Sequence, residues 1–263
     1  EKLPLPANRK VHHAKKILDE IIYQMILQRR DHASSDSRVD LLSMLLRATD
    51  GSEDLNKSKE NASRLGQKMN DQQIRDQAMT LFLAGHETMA NALTWTFYLI
   101  SQNPEVEKKL LEELEMVVGN AARDDRLIPS PQDVHKLVYT EMVFRESMRI
   151  YPPAWAIGRK AMQDYRAGGY VIPAGSVLIM SQYLMHHDPR YFEQPELFLP
   201  ERWGSEKILR LPRFSYFPFG GGPRSCIGEP FAWMEGVLMV AIIAQRWKMN
   251  VASNHPVELL PAV

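Results

Sequence analysis

The chain has 263 residues, 44% hydrophobic and 24% charged, which is enough apolar material for one sizeable core in an ordinary globular protein. Lys plus Arg and Asp plus Glu number 32 each, so no net positive charge argues for nucleic acid, and none is expected as a partner. The single cysteine, Cys226, rules out an internal disulfide and fits a reducing compartment; the longest apolar run, Val237 to Ala244, is far too short to cross a bilayer.

The first residues, Glu1-Lys2-Leu3-Pro4, lack an initiator Met and a signal-peptide pattern and read as a cut inside a longer protein. Over 9–30, Ile17, Leu18, Ile21, Ile22, Met25 and Ile26 recur at helical spacing among Lys, Arg and Glu, which predicts an amphipathic helix. A second helix is expected over 39–48, and the polar stretch 50–68 reads as a surface loop. From about 71 to 102 the pattern runs without proline, and Asn70 with Gln73 three residues on predicts a capping box at its start. A helix of that length, against a mean of about 11–12 residues, is expected to cross the core. Asn103-Pro104-Glu105 then supplies a cap, an N1 proline and an acidic first turn for another helix.

A further helix is expected over 133–150, ending at Pro152-Pro153. Residues 157–181 place Gly168-Gly169, Pro173 and Gly175 between short apolar stretches and predict strands and turns. Residues 186–225 are rich in Pro, Gly and aromatics with little periodicity, and irregular segments of that length are more often functional than idle. A last helix is expected over about 226–245. The whole reads as α+β, predominantly helical, in a single domain over 1–263.

The most informative stretch is Phe219-Gly220-Gly221-Gly222-Pro223-Arg224-Ser225-Cys226-Ile227-Gly228. A cysteine must be a thiolate to ligate a metal or attack a substrate. With Cys226 at the expected start of a helix, the helix N-terminus would favour negative charge there. The glycines would let backbone N–H groups approach the sulfur, Phe219 would keep water away, and Arg224 would bring a cation near. Three readings compete: a buried cysteine beside a glycine turn, a catalytic thiol, and haem ligation by thiolate. Phosphatase-type loops place the arginine after the cysteine, not before it, and no histidine is linked to Cys226 by motif. The glycine run is no dinucleotide fingerprint, because Gly220-x-Gly222-x-x-Ser225 lacks the third glycine.

The stretch fits F-x-x-G-x-R-x-C-x-G at Phe219, Gly222, Arg224, Cys226 and Gly228, and so resembles the signature of the cytochrome P-450 family. Further motifs follow the family's order. Ala84-Gly85-His86-Glu87-Thr88 resembles the A-G-x-[D/E]-T of the oxygen-binding helix; a zinc motif H-E-x-x-H fails there because position 90 is Ala90. Glu146-Ser147-Met148-Arg149 resembles E-x-x-R, whose ends share a helix face. Phe198-Leu199-Pro200-Glu201-Arg202-Trp203 resembles F-x-P-E-R-[F/W], and His186-His187-Asp188-Pro189 resembles an H-x-D-P turn, read as structural.

The resemblance implies a haem-thiolate monooxygenase with haem b (iron protoporphyrin IX) as cofactor and Cys226 as its iron ligand. Arg224 and Arg159 would anchor the propionates, with Phe219, Gly222 and Gly228 shaping the loop. Gly85 would open the helix into a groove for dioxygen, and Glu87 and Thr88 would carry protons. Glu146, Arg149 and Arg202 would form a buried structural triad. Leu81, Phe82, Ala84, Met89, Ala154, Trp155, Ala156 and Ile157 would line the pocket of a small apolar organic substrate. One oxygen atom would enter a C–H or C=C bond and the other would leave as water, with electrons from a ferredoxin or flavoprotein reductase docking on the thiolate side.

The resemblance also implies that the family's N-terminal part and final C-terminal hairpin lie outside this chain. It suggests a cytoplasmic or cytosolic-facing protein, with no membrane segment in this chain and a membrane anchor possible in a preceding part. Two other functions stand beside the first: a haem-thiolate isomerase or peroxygenase needing no redox partner, and a non-catalytic haem-binding remnant. Members of the former kind often lack the acid–alcohol pair that Glu87 and Thr88 supply here.

Overall fold

The computed structural model describes residues 6–31, 40–48, 68–119, 127–252 and 257–260, so the surface loop expected over 50–68 lies, but for residue 68, outside the described residues. The chain divides into two compact units, residues 1–84 and 85–263.

In the first unit, α1 (Pro6–Asp31) and α2 (Leu41–Arg47) accompany the first part of α3 (Asp71–Gln102). The Asp40 carboxylate accepts from the Ser43 N–H at 2.9 Å and caps α2, satisfying a donor that the helix cannot pair itself. Both Asp40 oxygens also accept from Arg29, at 2.7 and 2.8 Å, and this guanidinium holds the carboxyl far below its usual range. The capping box that opens α3 is present in both directions: the Gln73 N–H donates to Asn70 and the Asn70 N–H to Gln73, each at 2.9 Å. Ile26 and Ile74 are fully buried, while Ile17, Ile21 and Met25 on the amphipathic face of α1 stay 42–50% exposed.

The second unit holds the rest of α3, then α4 (Pro104–Val117), a 3-10 turn (Val134–Lys136) and α5 (Val138–Ile150). Strands β1 (Ala156–Lys160), β2 (Tyr165–Ala167), β3 (Tyr170–Ile172) and β4 (Val177–Ser181) follow, then α6 (Gln182–His186). A 3-10 turn (Pro200–Gly204), α7 (Glu206–Leu209), another 3-10 turn (Gly222–Arg224) and α8 (Glu229–Arg246) complete it. Strand β1 pairs antiparallel with β4, from Ala156 opposite Ser181 to Lys160 opposite Val177. β2 and β3 form a hairpin whose turn residues, Gly168 and Gly169, have φ of +55° and +84°. Positive φ at both positions is what a tight hairpin turn demands and what glycine adopts without strain. The architecture is α+β and predominantly helical, and among the described residues no helix is long and apolar enough to cross a membrane.

The core of this unit joins Leu99 and Ile100 of α3, Leu110 and Leu114 of α4, Val143 and Phe144 of α5, and Val237 and Val240 of α8. Each such side chain contributes about 1.5–3 kcal/mol on burial. α8 approaches α5 so closely that a Cβ on Gly236 would lie 2.2 Å from the Phe144 ring.

One cap and two boundaries differ from the sequence expectation, while α4 begins at Pro104 with an acidic first turn as expected. Asn103 does not cap α4 with its side chain; its amide donates back to the Leu99 carbonyl at 2.7 Å and so closes the end of α3, while its backbone carbonyl accepts from Val106 and Glu107. The helix expected from 133 starts at Val138. Residues 134–136 form the 3-10 turn, and the α5 N-terminus is capped from another helix: Glu113 accepts from the N–H of Tyr139 at 2.6 Å and of Thr140 at 2.8 Å. The last helix starts at Glu229, three residues beyond Cys226, with Gly228 as its cap and a proline in its first turn.

Candidate functional site

Glu146 and Arg149 lie three apart on α5 and are both fully buried. A lone buried charge is costly, so each must find partners within the protein. The Glu146 carboxylate receives five hydrogen bonds: from Arg149 Nε at 3.0 Å and Nη2 at 2.9 Å, from Arg202 Nε at 2.8 Å, from Trp203 Nε1 at 2.9 Å and from the Leu199 N–H at 3.2 Å. Two guanidiniums against one carboxylate leave an excess positive charge, and carbonyl dipoles meet it. Arg149 donates to the carbonyls of His186 and Leu197, and Arg202 to those of Glu193, Gln194 and Leu197. The network thus ties α5 to the irregular segment around 193–204. Trp203 is a member that the sequence pattern quotes without a role.

The same irregular segment runs on to Cys226. His186, at the end of α6 and fully buried, accepts the Phe217 N–H on Nε2 at 3.0 Å. Burial foremost, and then the nearby Arg149 charge, push its pKa from 6.5 down to about 3, so the ring is neutral. The loop then turns: the Gly220 N–H donates to the Phe217 carbonyl and the Cys226 N–H to the Phe219 carbonyl, both at 2.9 Å. Gly220 and Gly222 carry φ of +73° and +71°. Gly221 has ordinary extended backbone, but a Cβ there would strike the Phe214 ring at 2.3 Å. The glycines therefore serve the turns and a close approach of backbone to an aromatic ring.

The Cys226 side chain is exposed, with Gly228 beside its sulfur. Arg224 is exposed in the preceding 3-10 turn, and Arg159 is exposed on β1 with a hydrogen bond to the Gly158 carbonyl at 2.8 Å. Phe219 is half-buried against Trp233 of α8, ring centroids 5.5 Å apart, and packs on the core that also holds Met89 of α3. Around the loop, Ile227 and Phe231 expose 85% and 62% of their surface.

On α3, Gly85, Glu87 and Thr88 are exposed, and nothing stands within 4 Å of where a Gly85 Cβ would be. Met89, expected in the substrate pocket, is buried, in the core cluster that also holds Ala92 and Leu99. Of the other residues expected there, Leu81, Phe82 and Ala84 belong to the first unit, whereas Ala154 is exposed and Trp155, Ala156 and Ile157 are half-buried around the start of β1. The thiol of Cys226, the guanidinium of Arg224 and the exposed Ile227 and Phe231 in and beside the loop, with Arg159 on β1, are of the types a thiolate-ligated haem would use: a soft ligand for iron, cations for propionates and an apolar surface for the macrocycle.

A family model described as Cytochrome P450 matches residues 1–261. The chain is 41% identical over 251 residues, 95% of its length, to Cyclooctatin synthase of Streptomyces melanosporofaciens, covering 50% of that protein. It is 36% identical over 250 residues to Cyclooctat-9-en-7-ol 5-monooxygenase of the same organism, again 95% of this chain and 50% of the relative. It is 33% identical over 262 residues to Pentalenene oxygenase of Streptomyces avermitilis, 98% of this chain and 54% of the relative. The chain therefore spans about half the length of the curated relatives it matches.

Proposed function

The chain belongs to the cytochrome P450 family, and from that premise we propose that it forms part of the haem domain of a monooxygenase with Cys226 as the ligand to haem b. When bound, the haem supplies dioxygen activation at an iron whose thiolate ligand favours O–O cleavage. The observation that carries the reading is the exposed thiol of Cys226 at the end of a loop that His186 bonds to the buried Glu146–Arg149 pair.

Cys226 provides the thiolate. Arg224 and Arg159 hold the two propionates as charge-assisted pairs. Phe219, seated on Trp233, keeps water from the thiolate side. Glu87 and Thr88, adjacent on the open face of α3, pass protons to the oxygen side, and the open space at Gly85 leaves room there. Trp155, Ala156 and Ile157 border the substrate. Electrons come from a ferredoxin or flavoprotein reductase.

The relatives' names point to the substrate class. We take it to be a cyclic, largely apolar alkene or alkenol of the kind that "pentalenene" and "cyclooctat-9-en-7-ol" denote. Glu87 and Thr88 favour monooxygenation over a partner-free isomerase or peroxygenase. The test is Thr88→Ala in the full-length enzyme: oxygen consumption continues while product formation falls, by up to the roughly 10²–10⁴-fold that a positioned proton-transfer group contributes. Unchanged coupling would remove the proton-relay role.

A further inference from the structure

His186 is a fully buried imidazole that the haem chemistry does not use. Its bonds are directional. A backbone N–H can only donate, so the 3.0 Å contact from Phe217 makes Nε2 the acceptor and puts the ring proton on Nδ1. The ring is boxed by Tyr216, centroids 4.9 Å apart, and by Phe217 edge-on at 5.6 Å. The His186 carbonyl accepts from Arg149 Nη1 at 2.9 Å. One residue thus bonds the Glu146–Arg149 pair through its backbone and the entry of the cysteine loop, 31 residues away, through its side chain. From Phe217 the loop is short and internally tied, since Phe219 accepts the Cys226 N–H. An apolar side chain of similar size would leave the Phe217 N–H without its acceptor.

We propose that His186 is a positioning residue for the thiolate: its Nε2 clamps the start of the cysteine loop to the buried ion network and thereby fixes where the Cys226 sulfur points. The inference rests on the reading of Cys226 as the iron ligand. It concerns a side chain that touches neither haem nor substrate.

The test uses the haem-loaded, full-length protein. Glutamine places an amide oxygen where Nε2 lies, whereas asparagine places its amide near Nδ1 and cannot reach the Phe217 N–H. Two readouts apply: hydrogen exchange at the Phe217 amide, and the rate at which the thiolate-type Soret band of the reduced carbon-monoxide complex decays to the band of a haem that has lost its thiolate. Wild type and His186→Gln are expected to protect the Phe217 amide and keep the band. His186→Asn is expected to exchange that amide, and to lose the band, about tenfold or more faster, the effect of one buried donor left unpaired. Leu110→Ala, buried on α4, is the control for general destabilisation and should leave the decay rate near wild type.

Free exchange of the Phe217 amide in the wild type would overturn the clamp without any variant. So would equal decay in the Gln and Asn proteins, or decay in Leu110→Ala as fast as in His186→Asn. A wild type with no thiolate-type band would instead sink the reading of Cys226 as ligand, and with it the clamp's purpose.

Discussion

The buried network at Glu146 and the exposed loop at Cys226 belong to one continuous stretch of structure, yet their polar groups are satisfied in opposite ways. Glu146 takes five hydrogen bonds from four residues, and the guanidiniums that supply some of them spend their remaining N–H groups on carbonyls of the same chain. Cys226 is held through its backbone N–H, Arg159 lies in strand β1 with one guanidinium bond to the Gly158 carbonyl, Arg224 sits in a 3-10 turn, and all three side chains are exposed. A network that closes on itself contributes to folding and tolerates no deletion. A group held by its backbone and left open is cheap to change for stability and expensive to change for chemistry.

The sharpest way to break that comparison is Glu146→Ala. It strands the fully buried Arg149 guanidinium and the partly buried one of Arg202, and breaking a buried ion network by removing one partner costs about 3–5 kcal/mol, enough to prevent accumulation of folded protein or to lower the urea midpoint severely. A loss under about 1 kcal/mol would mean that the network is looser than its distances indicate.

The next effect is acid lability through His186. Its folded pKa of about 3 lies below the unfolded 6.5, so between those values the unfolded chain binds the extra proton and stability falls as pH falls. Urea unfolding of wild type should therefore lose about 1.4 kcal/mol per pH unit, relative to His186→Gln, as pH drops below 6.5. Parallel pH profiles would show that the ring is solvated in the folded state.

Gly236→Ala comes third. Its Cβ would meet the Phe144 ring at 2.2 Å, and overpacking of this kind costs about 1–3 kcal/mol by thermal or urea unfolding. A neutral result would show that α8 can slide on α5.

Much of this division was legible in the sequence, for reasons that differ by region. The bounds of α3 follow from local chemistry, since Asn70 and Gln73 satisfy the first turn within four residues and Asn103-Pro104 stops it. The pairing of Glu146 with Arg149 is likewise written into a spacing of three on a helix. The start of α5 was not legible, because Glu113 on α4 provides its cap and a cap supplied across space leaves no local signature. For the same reason the H-x-D-P segment reads only as a turn, while its histidine reaches Phe217 far along the chain. Cys226 stood out in the sequence as a candidate site, and the structure adds that the glycines around it serve turn geometry and the approach to Phe214.

The most direct measurement is the reduced carbon-monoxide difference spectrum of the full-length protein beside Cys226→Ala, with urea unfolding of both. The expected result is a strongly red-shifted Soret band that vanishes in the variant, while the haem-free forms differ in stability by no more than about 0.5 kcal/mol, as for an exposed side chain. A red-shifted band that survives in Cys226→Ala, or a wild type that binds haem without one, would contradict Cys226 as the ligand to the iron.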